Sequence, residues 1–347
     1  MSELIFEEDK QFNTEEWKQK MSAHGESLRN NNVRQILLVH GTFTGDDALG
    51  LIHLLDPINI TFADLLRKKS RDLINRLAQS VGNYTSDYAG NLGTASNIPC
   101  ELFVWAGGNY HHARIQGTLD LAQYIATKIN EDNILDNERL LILGHSHAGQ
   151  LFALLTSFLA EDEQSQSLYQ IMEMLEKFSG EKSKLIKNLK IIKKINLDFV
   201  TFGTPVRYSW GKYKKSRLMA VVNHRSKVRL SGILSTRDGD YVQQWGVEGT
   251  DMLSNEEFDT TLDKGKDISL LRANLEREKR REPKYINGDP VTETCLVNYL
   301  DNSGFPLFFL NPLSVPHCIK TLFGHGVYTQ EHTMLFNLSI IVNKWYS

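Results

Sequence analysis

Five short runs, apolar over most of their length and separated by stretches with helical spacing, constrain this chain more than any other feature. They lie at 35–39, 101–105, 139–143, 198–202 and 218–222, and helical spacing is read at 47–55, 62–78 and 112–130 and again after Gly149. A strand wetted on one face alternates apolar and polar residues. A strand apolar throughout is covered on both faces, which is the condition of a mostly parallel sheet layered with helices. In such sheets, ligands gather where the strands end at their carboxyl side. The chemistry is therefore expected at the residues that follow each run.

Composition narrows the class. The 347 residues carry 39 Lys+Arg against 42 Asp+Glu, a formal charge of −3, with 41% hydrophobic residues. That balance excludes a disordered chain and a strongly basic nucleic-acid binder. Cys100, Cys295 and Cys318 are widely spaced and form no CxxC pair, so neither a disulfide framework nor a metal site is expected. The start of the chain is acidic where a signal peptide is basic and then apolar, and no run approaches the ~18 apolar residues of a membrane span. A cytoplasmic location is expected, although signal-less secretion leaves no mark on a sequence. Residues 1–32 read as a polar N-terminal extension and 33–347 as one domain, with charged helical insertions at 161–195 and 254–290.

The most specific stretch is Leu143-Gly144-His145-Ser146-His147-Ala148-Gly149, at the end of the third run. A buried strand entering Gly-x-Ser-x-Ala-Gly before a helix is the pattern of a tight turn that lifts a serine hydroxyl above a sheet. Residues two positions either side of that serine must be small, and Gly144 and Ala148 are. The N–H of His147, at the helix start, is placed to face a developing oxyanion. A plain serine helix cap would also fit these residues, but without the preceding strand.

With His40-Gly41-Thr42-Phe43 after the first run, this elbow, Phe202-Gly203-Thr204-Pro205 after the fourth, and a late Asp and His, the chain resembles the α/β-hydrolase fold on its lipase and esterase side. The resemblance spans about 33–345. Ala148 stands where the family more often has glycine. The resemblance implies a mostly parallel central sheet with helices on both faces and a Ser-Asp-His order of catalytic residues. It also implies a second oxyanion donor from the N–H of Thr42 or Phe43.

Three histidines follow position 224: His317, His325 and His332. His325 lies between glycines just before the last apolar helical stretch, as this fold presents its base, and is preferred. For the acid, Thr236-Arg237-Asp238-Gly239-Asp240 offers two carboxylates in a turn past the fifth run. Lipase-like Gly-Asp-x-Val favours Asp240 over Asp238, with Asp251 and Asp198 behind. The expected activity is hydrolysis of an ester or lipid through an acyl-enzyme on Ser146, with no cofactor and no metal. A thioesterase or acyltransferase using the same residues, and a non-catalytic binding scaffold, are the alternatives.

Other features carry weaker signals. The Lys-rich segment 182–195 suits either a solvated helix or peripheral contact with an anionic membrane. His111 and His112 are expected at the mouth or surface, and Tyr208, Trp210 and Tyr213 are candidates for a lid.

Overall fold

All five apolar runs become strands of a single sheet. The computed structural model describes residues 4–6, 12–41, 83–108, 111–174, 178, 180–205, 208, 210–223, 239–240, 243, 285–286, 289–290, 293–299 and 324–347. In chain order these form β1 (Leu4–Ile5), α1 (Glu15–Asn30), β2 (Val33–Val39), α2 (Ser86–Ser96), β3 (Cys100–Phe103) and α3 (His111–Glu131). Then come β4 (Arg139–His145), α4 (Ala148–Ala160), α5 (Glu163–Met174), α6 (Glu181–Ile192), β5 (Asn196–Phe202) and β6 (Ser216–Asn223). A short pair, β7 (Tyr285–Ile286) and β8 (Asp289–Pro290), precedes β9 (Glu293–Asn298) and the closing helix α7 (Met334–Trp345). The expected helices at 47–55 and 62–78 lie outside the described residues, as does most of the segment 254–290.

The main sheet has seven strands in the order β1-β9-β6-β5-β4-β2-β3, and every neighbouring pair is parallel. Side chains alternate between its faces with period two. Leu37, Val39, Leu140, Ile142, Leu197 and Phe199 meet α3, α4, α5 and α6 on one side. Ile36, Leu38, Leu141, Leu143, Val200 and Phe202 meet α1, α2 and α7 on the other. Both faces of the central strands are covered, which is why the runs are apolar over most of their length.

Two stretches that read as peripheral belong to these layers. In α1, Trp17, Met21 and Leu28 are buried, a narrow apolar stripe on a helix otherwise too polar to stand out. In 161–195, Leu168, Met172, Phe178, Leu185, Leu189 and Ile192 are buried in the core against the sheet. Three lysines of that segment are paired: Lys182 with Glu173, Lys184 with Glu181 and Lys193 with Glu161. Lys193 and Lys194 sit where α6 hands over to the start of β5, and Lys215, just before β6, donates to the Lys194 carbonyl. That cationic end is therefore at the sheet edge opposite the carboxyl ends of the strands. Tyr208 and Trp210 are buried in the core, and the Tyr213 hydroxyl donates to the Lys193 carbonyl, so the aromatic residues weighed as a lid are packed instead.

The amino edge of the sheet is tied by a buried carboxylate. Asp198, the third residue of β5, is fully buried and accepts from Arg217 Nε (2.8 Å) and a terminal nitrogen (2.7 Å), from Arg139 (3.2 Å) and from the Tyr346 hydroxyl. It joins the starts of β4, β5 and β6 to the end of α7, so its role is structural. Replacing Asp198 by Ala is expected to remove about 3 kcal/mol of stability in chemical denaturation. That is the low end of the range for breaking a buried pair, because both guanidinium groups keep part of their surface in water.

Candidate active site

The turn between β4 and α4 holds its central residue in an uncommon conformation. Ser146 has φ 55°, in the left-handed region that non-glycine residues rarely occupy, and such positions cost about 1–3 kcal/mol and concentrate at functional sites. Its N–H donates to the Phe202 carbonyl (2.9 Å), and its own carbonyl accepts the Thr204 hydroxyl (2.8 Å). The neighbours leave room for nothing larger. A Cβ at Gly144 would lie 2.4 Å from the Phe152 ring and 3.0 Å from Ala148 Cβ, so the two small residues flanking the serine do touch. A Cβ at Gly41 would lie 2.7 Å from Ser146 Cβ. Gly41 is thus required for close approach, and not for the positive φ that a strand-end turn suggests from sequence. His147 caps α4 at its amino end, where the helix dipole favours negative charge. Thr42 and Phe43, the other expected oxyanion residues, lie outside the described residues.

His325 and Asp240 meet in the interior. His325 Nδ1–H donates to Asp240 Oδ2 at 2.7 Å, and both side chains are fully buried. The carboxylate is held on all sides: Oδ1 accepts the Gln243 N–H (2.8 Å) and Oδ2 also accepts the Tyr328 hydroxyl (3.0 Å). The Asp240 N–H donates to the Asn223 carbonyl at the end of β6 (2.8 Å). Gly203, at φ 61°, makes space for this pair, since a Cβ there would lie 2.5 Å from Asp240 Oδ2 and 2.6 Å from the Tyr328 ring. With Asp240 on Nδ1, the lone pair of the neutral imidazole is on Nε2, the nitrogen that a general base uses.

The link between this pair and the serine is His145, the residue just before Ser146. Its Nε2–H donates to the His325 carbonyl at 2.8 Å, and the two imidazole centroids are 4.5 Å apart. Burial pushes the His145 pKa well down, with the neighbouring imidazoles adding to the effect, so the ring is neutral. His40 is likewise held neutral by burial, against the opposing pull of its hydrogen bonds to Gly41 and Trp105. The Trp105 N–H donates to its Nε2 (3.0 Å), which leaves its proton on Nδ1, donating to the Gly41 carbonyl (2.6 Å).

The other candidates lie elsewhere. His332 packs its ring near Phe6, with centroids 6.0 Å apart, and Asp198 belongs to the opposite edge of the sheet. Asp238, Asp251 and His317 lie outside the described residues. His111 and His112, expected at the mouth or surface, are buried at the start of α3: His111 Nδ1 lies 2.6 Å from the Tyr208 hydroxyl and His112 packs on Phe178. They face inward because α3 packs along the sheet from its first turn. Sequence reasoning missed Tyr328, His145 and Asn223. Tyr328 follows His325 by three residues and His145 fills the variable place of Gly-x-Ser, so neither carries a signal of its own.

Among the described residues, no group of three or more His, Cys, Asp or Glu is placed to hold a metal ion, and no helix is long and apolar enough to cross a membrane. Comparison of the chain with protein-family models, with curated proteins and with solved structures finds no match.

Two outcomes follow from this geometry. Tyr328→Phe strips a donor from Asp240 and leaves the Asn223 N–H, which donates to the Tyr328 hydroxyl at 2.8 Å, without an acceptor. Chemical denaturation is expected to show a loss of about 1–3 kcal/mol. His145 and His40 have folded pKa values below the ordinary histidine value, so below about pH 6.5 the unfolded chain binds more protons than the folded one. Thermal stability should therefore fall as pH drops through that value, and fall again on the alkaline side above about pH 8.5, where burial holds the Cys100 and Cys295 thiols protonated in the fold. In His145→Gln the acid slope should be shallower.

Proposed function

We propose that this protein is a serine carboxylester hydrolase of the α/β-hydrolase type, with Ser146 as nucleophile, His325 as general base and Asp240 as the carboxylate that orients it. One observation carries the reading: a left-handed Ser146 at a strand-to-helix turn, next to a residue that grips the buried His325–Asp240 pair. The order of the parts supports it as well. The serine follows β4, the carboxylate follows β6 and the histidine follows β9, and these strands lie side by side with β5 in one parallel sheet. That is the Ser, Asp, His chain order of the fold the sequence resembles.

The chemistry follows from the groups present. His325 Nε2 takes the proton of the Ser146 hydroxyl as its oxygen bonds to the ester carbonyl carbon. The carbonyl electron pair moves onto oxygen, where the His147 N–H and a donor from the Thr42-Phe43 loop receive it. When the pair returns, the ester C–O bond breaks, and the alkoxide leaves with the proton from His325. Water then repeats the sequence on the acyl-enzyme. Asp240 holds the imidazole in one tautomer and balances its charge once protonated.

The lipase-side resemblance supplies the substrate class, an ester with an apolar acyl group. Contact with a membrane through segment 182–195 forms no part of the proposal. Its cationic end faces away from the strand ends that carry Ser146.

A fluorophosphonate probe tests the assignment. The intact protein is expected to label, with the adduct on the peptide that contains Ser146, and Ser146→Ala is expected not to. Adduct formation at another residue, or undiminished labelling of Ser146→Ala, would overturn the serine. On a short-chain ester, His325→Ala is expected to lower kcat by about 10³-fold or more, whereas His332→Ala is not.

A further inference from the structure

We propose that the side chain of Asn83 is an oxyanion donor, supplying an N–H from Nδ2 to the substrate carbonyl oxygen as negative charge develops there. This rests on the serine hydrolase reading above and adds a residue to it.

Asn83 lies at the start of the segment leading into α2, far from Ser146 in the chain, and is 4% exposed. Its Oδ1 accepts the Gly41 N–H at 2.8 Å. That bond fixes which way the carboxamide faces, since only the oxygen can accept. His145 Nδ1 lies 3.5 Å from the same Oδ1, but with the His145 proton held on Nε2 by the His325 carbonyl, those two atoms are both acceptors and do not bond. Turning the amide over to satisfy His145 would sacrifice the shorter bond to Gly41. Nδ2 is consequently left buried without a hydrogen-bond partner among the described residues.

A buried N–H group with no acceptor costs about 1–3 kcal/mol, and such an atom calls for an explanation. Its position suggests one. A Cβ built on Gly41 would lie 2.7 Å from Ser146 Cβ and 3.2 Å from Asn83 Oδ1, so the serine and the carboxamide share one side of Gly41. Their separation cannot exceed the sum of those two distances. The group that belongs beside Ser146 and can only accept hydrogen bonds is the carbonyl oxygen of the bound ester. As Ser146 Oγ bonds to the carbonyl carbon and its proton passes to His325, the displaced electron pair settles on that oxygen. A donor fixed in advance, in a site shielded from water, stabilises the charge without reorganising. The same carboxamide, through Oδ1, holds the Gly41 end of the expected oxyanion loop.

The test compares hydrolysis of a short-chain ester with that of its thionoester, in which sulfur replaces the carbonyl oxygen and accepts hydrogen bonds poorly. Wild type, Asn83→Ala and Asn83→Asp are measured. The aspartate keeps an acceptor for the Gly41 N–H and lacks the donor. Both variants are expected to lose about 10²-fold in kcat on the oxygen ester with KM little changed, and to lose far less on the thionoester. The ratio of the two rates should therefore fall at least tenfold. Because it is a ratio, it does not depend on how much of a variant is folded. An unchanged ratio in both variants, with wild type still labelled at Ser146 by the fluorophosphonate, would overturn the role of Asn83 alone. A wild type that fails to label at Ser146 would overturn the hydrolase reading and this proposal together.

Discussion

The left-handed backbone at Ser146 is the constraint on which the candidate site depends. A residue with a side chain does not rest there unless its surroundings leave no alternative. Four chain segments provide that surrounding: Gly41 at the end of β2, Gly144 within β4, Ala148 at the start of α4, and Thr204 after β5. Each presents a missing or small side chain or, at Thr204, a hydrogen bond to the serine carbonyl. A single methyl group at Gly41 would reach the serine Cβ, and one at Gly144 would reach the Phe152 ring. The turn is held by close packing on both faces of the sheet, and the buried strands underneath supply the stiffness.

A second requirement is that buried polar atoms be matched. Asp240, His325, Tyr328, Asn223 and His145 come from three distant parts of the chain, and their bonds interlock. Asn337 of α7 donates to the Tyr328 carbonyl (2.8 Å), and Tyr328 donates to Asp240 and accepts from Asn223. Asn223 in turn donates from its side chain to the Gly324 carbonyl (3.3 Å), next to the histidine. Low local dielectric strengthens such bonds and makes each unmatched atom costly, so the network holds one geometry. The histidine loop is positioned by the network as a whole and not by one contact.

Much of the fold was legible because parallel strands covered on both faces leave an unmistakable apolar signature. The five runs read from the sequence as strands, although the second ends at Phe103 and not at Trp105, and the small residues around Ser146 pack as their spacing suggests. β9 did not: Glu293–Asn298 shows buried Cys295 and Val297 alternating with less buried neighbours, a weaker pattern that follows a long polar stretch. The helix α1 escaped notice because its buried residues are few and spread among lysines and glutamates. His111 and His112, read as mouth or surface residues, are buried where α3 begins against the core.

Local spacing singled out Ser146 as the candidate nucleophile, and chain order with the lipase-like Gly-Asp-x-Val pattern and the glycines beside His325 ranked Asp240 and His325 above their rivals. Both are properties of short windows or of sequence order, which a linear text preserves. Which hydroxyl supports the carboxylate, which imidazole grips the histidine backbone, and which carboxamide sits over Gly41 were settled only by tertiary structure. Tyr328, His145 and Asn83 take those roles through contacts across tens to hundreds of residues. Hydrogen-bond partnership at such separations depends on how strands and helices stack, and no local pattern encodes it.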